Sequence, residues 1–65
     1  MIDDIQEHFE KEFPREACGI IGIVKGKKQY FPCKNLAKEN EDFILDPTDY
    51  ISVKRRADIF AIVHN

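Results

Sequence analysis

No apolar run in these 65 residues approaches the roughly 20 needed to span a bilayer. The first residues are acidic where a secretory leader would be basic, so neither a membrane segment nor an export leader is expected. There are only two cysteines, Cys18 and Cys33, too few for a disulfide framework and not spaced as a zinc motif. They could pair if their strands are neighbours, but with nothing pointing to export the expectation is two buried free thiols in a reducing compartment. Internal repeats, low-complexity tracts and Gly/Ser linkers are also missing. A formal net charge of -2 is too small to imply steering toward nucleic acid or an anionic membrane. No partner of either kind is therefore expected.

What is present is an ordinary globular composition, 43% hydrophobic and 34% charged. At this length the core is modest, so the chain reads as one domain at most, and part of a larger one is in view from the start. The charge is uneven: Met1 to Glu16 holds six acidic and two basic residues, and the remainder six acidic and eight basic. The acidic segment is read as a solvated helix face. Ile2, Ile5, Phe9 and Phe13 recur at three-to-four-residue steps, which predicts an amphipathic helix over Met1 to Glu12, laid on a core and stopped by Pro14.

Ala17 to Val24 is a near-continuous apolar run that suits a strand buried on both faces, with Gly19 and Gly22 where another element comes close. Lys25 to Lys28 reads as a polar turn into a second strand, Gln29 to Cys33, giving an antiparallel hairpin whose Pro32 marks an edge or an end. Asn35 to Glu41 reads as a loop, with the Asn35 amide available to fix it. Asp42 to Leu45 reads as a short third strand. Asp46-Pro47-Thr48-Asp49 then sets a capping carboxylate before a proline at the first helical position. In the helix that must follow, Tyr50, Val53 and Ala57 share the inner face, while Lys54, Arg55 and Arg56 complement the dipole near its end. Without aromatic interleaving that basic run is a solvated face. The chain closes on an apolar strand, Ile59 to Val63, with His64 emerging at its end. The expected order is helix, strand, strand, strand, helix, strand, forming a mixed sheet with the first and last strands near its centre.

Arg15-Glu16-Ala17-Cys18-Gly19-Ile20-Ile21-Gly22, preceded by His8 to Pro14, resembles the opening of JAMM (MPN-plus) zinc metallopeptidase domains, especially those of phage tail assembly proteins and related bacterial proteins. That opening reads as a histidine near the end of the first helix, then Pro-x-Glu-x-Cys-Gly and an apolar strand. The likeness continues through Tyr30 and Pro32, Asn35 with Ala37, Phe43 with Asp46-Pro47, and into Val63-His64, nearly the whole chain in order. It implies an α+β or α/β fold of the JAMM (cytidine-deaminase-like) kind, a sheet flanked by helices.

In that family two histidines of an His-x-His-Pro segment and a later aspartate bind zinc, with water in the fourth position and the upstream glutamate activating it. Carried over by position, Glu16 matches the glutamate and His64 the first histidine ligand. A three-ligand zinc leaves an open site and lowers the pKa of its water to about 7, and a carboxylate outside the ligand set can take the proton. Asn65 stands where the family usually has serine, and the second histidine, the proline and the aspartate would lie beyond it.

Residues 1 to 65 are therefore expected to be the amino-terminal portion of a single JAMM-like domain, inactive alone. The extended parent is expected to bind Zn2+ and cleave a peptide or isopeptide bond, in the cytoplasm or in association with a phage virion. Self-association through an exposed sheet edge or apolar faces is a further expectation. A non-catalytic scaffold or binding module of the same fold, and a small interaction domain with Glu16 and His64 far apart, are the competing readings. His8 is read as a packing residue at the helix end rather than a ligand.

Overall fold

The structure is a computed structural model and describes residues 1–38 and 43–65. It forms a small α+β unit in the order α1 (Ile2–Glu12), β1 (Cys18–Val24), β2 (Lys27–Cys33), α2 (Pro47–Lys54) and β3 (Asp58–His64). The three strands make one sheet in the order β2-β1-β3, antiparallel throughout.

Two expectations about the sheet are corrected here. It is antiparallel and not mixed, and only β1 is central, with β3 on an edge. The segment expected to be a third strand reduces, among the described residues, to one isolated bridge between Asn35 and Leu45. Asn35's side chain takes over the pairing there, its Oδ1 accepting from Ala37 N–H at 2.9 Å and Ile44 N–H at 3.0 Å. Of that segment Asp42, and of the expected loop residues 39–41, lie outside the described residues.

The hairpin is tighter than its polarity suggests. Val24 already pairs with Lys27, so Lys25 and Gly26 alone make the turn. Their φ values of 52° and 78° are both left-handed, the pattern of a type I′ turn, whose twist matches that of the flanking strands. Lys27 and Lys28, expected in the turn, belong to β2.

Cross-strand partners share a face. On one face Cys18, Ile20, Phe31 and Cys33 are buried under Val53 of α2, with Phe43, Leu45, Tyr50, Ala57 and Ile59 packed around them. The inner face expected of α2 is the one that docks. Its start follows from its cap: Asp46 Oδ1 accepts from Thr48 N–H at 2.9 Å, with Pro47 beginning the helix. Asp49 Oδ2 accepts from Lys34 N–H at 2.7 Å, tying the helix's first turn to the end of β2.

The other face carries Gly19 and Tyr30, with α1 against β2. Here the expectation that α1 lies on a core is corrected. None of its residues is buried, and Ile2 and Phe13 are 70% and 75% exposed. The helix packs against the edge strand β2, where a 2.7 Å hydrogen bond joins His8 Nδ1 and the Tyr30 hydroxyl. A Cβ on Gly19 would come within 2.5 Å of the Tyr30 ring, so the missing side chain is what lets the ring lie flat over β1. Gly22 likewise admits Ala57, which follows α2.

Candidate functional site at the open end of the sheet

Glu16 and His64 meet at the end of the sheet opposite the hairpin turn. His64 is the last residue of β3 and lies across from Cys18, the first of β1, while Glu16 stands two residues earlier. The β1–β3 ladder thus brings together residues far apart in sequence. His64 Nδ1 lies 3.5 Å from Glu16 Oε1, the side chains being 50% and 32% exposed. The His64 ring stacks on Phe43 with centroids 4.3 Å apart and planes at 27°. Its position is therefore set by the strand below and an aromatic face beside it.

Glu16 is fixed through its main chain. Asn35 Nδ2 donates to the Glu16 carbonyl at 2.8 Å, and Ala17 N–H donates to Asn65 Oδ1 at 2.8 Å. Arg15, just before, donates to the carbonyls of Ala37 at 2.5 Å and Asn35 at 3.4 Å. A bend without regular pairing is thereby held by side chains from both flanking segments.

The pair has a restricted chemistry. A carboxylate beside an imidazole can accept a proton and can fix the ring's tautomer, leaving Nε2 for another partner. At 3.5 Å the two groups face each other closely enough to share a proton. Among the described residues no group of three or more His, Cys, Asp or Glu side chains is placed to hold a metal ion. A catalytic zinc takes three protein ligands, so these donors fit one ligand and a base, not a complete centre.

Other expected residues fall elsewhere. His8 faces Tyr30 and not the Glu16–His64 pair, in keeping with a packing role. An open cavity of about 430 Å³ between the end of α1 and β2, with His8, Lys11, Arg15 and Lys34 in its wall, includes neither Glu16 nor His64. Cys18 and Cys33 are both buried and free. Burial and the charge of Asp49 push both thiols up, that of Cys33 to about 11.

Sequence reasoning did not find Phe43 as the support of His64, nor Asn65 as the acceptor for Ala17. An aromatic in a short apolar run signals packing of any kind, and a terminal asparagine carries no periodicity. The Asn35 amide was legible, because a side-chain amide in a polar loop is a natural fixer of backbone groups.

No family model matches this sequence, and no solved structure matches it. The chain is 42% identical over 65 residues to tail tip assembly protein K of Escherichia phage N15, an alignment covering 98% of this chain and 27% of that protein. It thus spans about a quarter of the length of the curated relative it matches.

Proposed function

We propose that this chain is the amino-terminal part of a phage tail assembly protein, and that it contributes the general base and one metal ligand to a zinc-dependent peptidase or isopeptidase centre. The 42% identity to a tail tip assembly protein supports the tail role and, with it, association with the virion. The enzymatic reading rests on one observation, the 3.5 Å approach of Glu16 and His64 from opposite ends of the chain. Two residues singled out by a family motif have no reason to converge in a small interaction domain unrelated to that family.

In this reading His64 supplies one ring nitrogen, with β3 fixing its backbone and Phe43 limiting its rotation. Glu16 holds a proton acceptor beside it, at Oε1, on a clamped backbone. Zinc, if held by His64 and further ligands of the parent, would supply Lewis acidity and an acidified water. Glu16 would be the group to accept a proton there and to hand it to the leaving amine. The 65 residues alone are inactive for want of ligands.

The test uses the full-length protein. Glu16→Gln leaves zinc bound and lowers peptidase turnover by about 10²–10⁴-fold, the usual share of a general base. His64→Ala lowers zinc occupancy itself. A Glu16→Gln protein with full activity removes the base from the proposal. A wild-type protein with neither zinc nor peptidase activity favours the second reading, a non-catalytic scaffold or binding module, for which the closed Glu16–His64 pair already reads as a structural contact.

A further inference from the structure

Cys18 and Cys33 are the first residue of β1 and the last of β2, and the ladder register sets them directly opposite each other. Directly opposed residues of an antiparallel pair hold their Cα atoms about 4.5–5.5 Å apart. Disulfides span Cα separations of about 4.4–6.8 Å. Both side chains point to the face covered by α2, where they belong to one cluster. The Cys18 thiol reaches across to β2, lying 3.7 Å from the carbonyl of Lys34, the residue after Cys33. The Cys33 thiol turns back along its own strand, 3.4 Å from the Phe31 carbonyl.

We propose that Cys18 and Cys33 are a cross-strand dithiol that closes to a disulfide in an oxidising medium, locking β1 to β2 at the end of the sheet that carries Glu16. The free thiols seen here are the reduced form of that pair. Closure is geometrically mild. Opposed Cβ atoms sit about 4.5–5.5 Å apart, against about 3.8 Å across a disulfide, so the strands draw together by about 1 Å. The pair terminates the β1–β2 ladder, and β2 is an edge strand among the described residues, so no further strand has to move with it; the Lys34–Asp49 hydrogen bond, just beyond Cys33, has to follow.

The oxidant is a low-molecular-weight disulfide, and the reaction is two exchanges. The thiolate of Cys33, the less completely buried of the two, attacks one sulfur of the small disulfide and expels the other as a thiolate. The Cys18 thiolate then attacks the Cys33 sulfur of the mixed disulfide and expels the second small thiolate. The protein loses two electrons and two protons, and the small disulfide gains both as two thiols. A tail component made in a reducing cytoplasm and released outside the cell meets such a change of medium, although the chemistry depends neither on that origin nor on the zinc reading.

The experiment equilibrates the full-length protein with glutathione and glutathione disulfide. Equilibrium is approached from the native reduced protein and from protein unfolded in urea and returned to buffer, so that slow access to buried sulfur cannot mask the end point. The expected result is a Cys18–Cys33 linked peptide in the digest, two hydrogens lighter than the reduced pair. It should come with a rise in the thermal midpoint that dithiothreitol reverses and that Cys33→Ser abolishes. Two alkylatable thiols from both directions, a stable glutathione adduct on either cysteine, or linkage between chains would each overturn the proposal. So would a thermal shift that persists in Cys33→Ser.

Discussion

Asn35 and Asn65 grip the two ends of a single peptide group. Asn35 Nδ2 donates to the Glu16 carbonyl and Asn65 Oδ1 accepts from the Ala17 N–H, each at 2.8 Å, so the Glu16–Ala17 peptide is held from both sides by side chains 30 residues apart. The residue proposed as the base therefore owes its place to two amides and not to the ladder that begins after it.

Unequal losses follow from that arrangement. Asn65→Ala removes one bond and should cost about 1 kcal/mol, whereas Asn35→Ala also orphans the Ala37 and Ile44 amides and should cost about 2–3 kcal/mol. Urea midpoints of the two variants measure this; equal, small losses would mean that solvent replaces the Asn35 bonds.

Gly19 and Tyr30 should behave as one unit. A methyl at Gly19 meets the Tyr30 ring at 2.5 Å, and moving the ring breaks its bond to His8. Gly19→Ala should therefore destabilise by about 1–3 kcal/mol, in the usual range for overpacking. In a Tyr30→Ala background the same change should cost less than about 0.5 kcal/mol, within ordinary additivity error. A double-mutant cycle on unfolding free energies decides it, and additive losses would place the strain elsewhere.

The protein should lose stability in alkali. Burial, followed by the neighbouring Cys33 and Cys18, pushes the Tyr30 phenol up to about 12 from an ordinary 10.0. Because the folded value is raised, the contribution of this group is whole below about pH 10 and is lost as pH rises through about 12. A shift of that size is worth at most about 3 kcal/mol. Cys33 acts in the same direction between its ordinary 9.0 and about 11. Unfolding free energy measured from pH 8 to 12 (roughly the span of these linked titrations) should fall more gently in Tyr30→Phe than in the parent sequence. Parallel curves would show that Tyr30 titrates alike in both states.

The elements that were legible in the sequence are those whose cause is local. Asp46-Pro47 announces α2 because a capping carboxylate and a fixed φ act within one turn, and the 3.6-residue period over Ile2 to Phe13 announces α1 as a helix. What that period cannot say is what covers the stripe, and Ile2 and Phe13 turn out open to solvent. Strand order was not legible, since an apolar run at Ile59 to Val63 looks the same at a centre or an edge. Neither was the turn at Lys25, where a lysine adopts the left-handed conformation usually signalled by asparagine. For the site, the motif pointed to Glu16 and His64, while their supports, Phe43, Asn35 and Asn65, act through contacts that span the chain and leave no local pattern.

The two-residue turn has a practical use. Lys25 and Gly26 lie just past the far end of β1 from Glu16, and β1 itself spans six strand steps of about 3.3 Å, about 20 Å in all. No heavy atom comes within 4 Å of where a Cβ on Gly26 would sit. A fluorophore or affinity handle on the Lys25 amine would thus report on the protein from the turn end of the sheet, leaving the end that carries the carboxylate and the imidazole undisturbed.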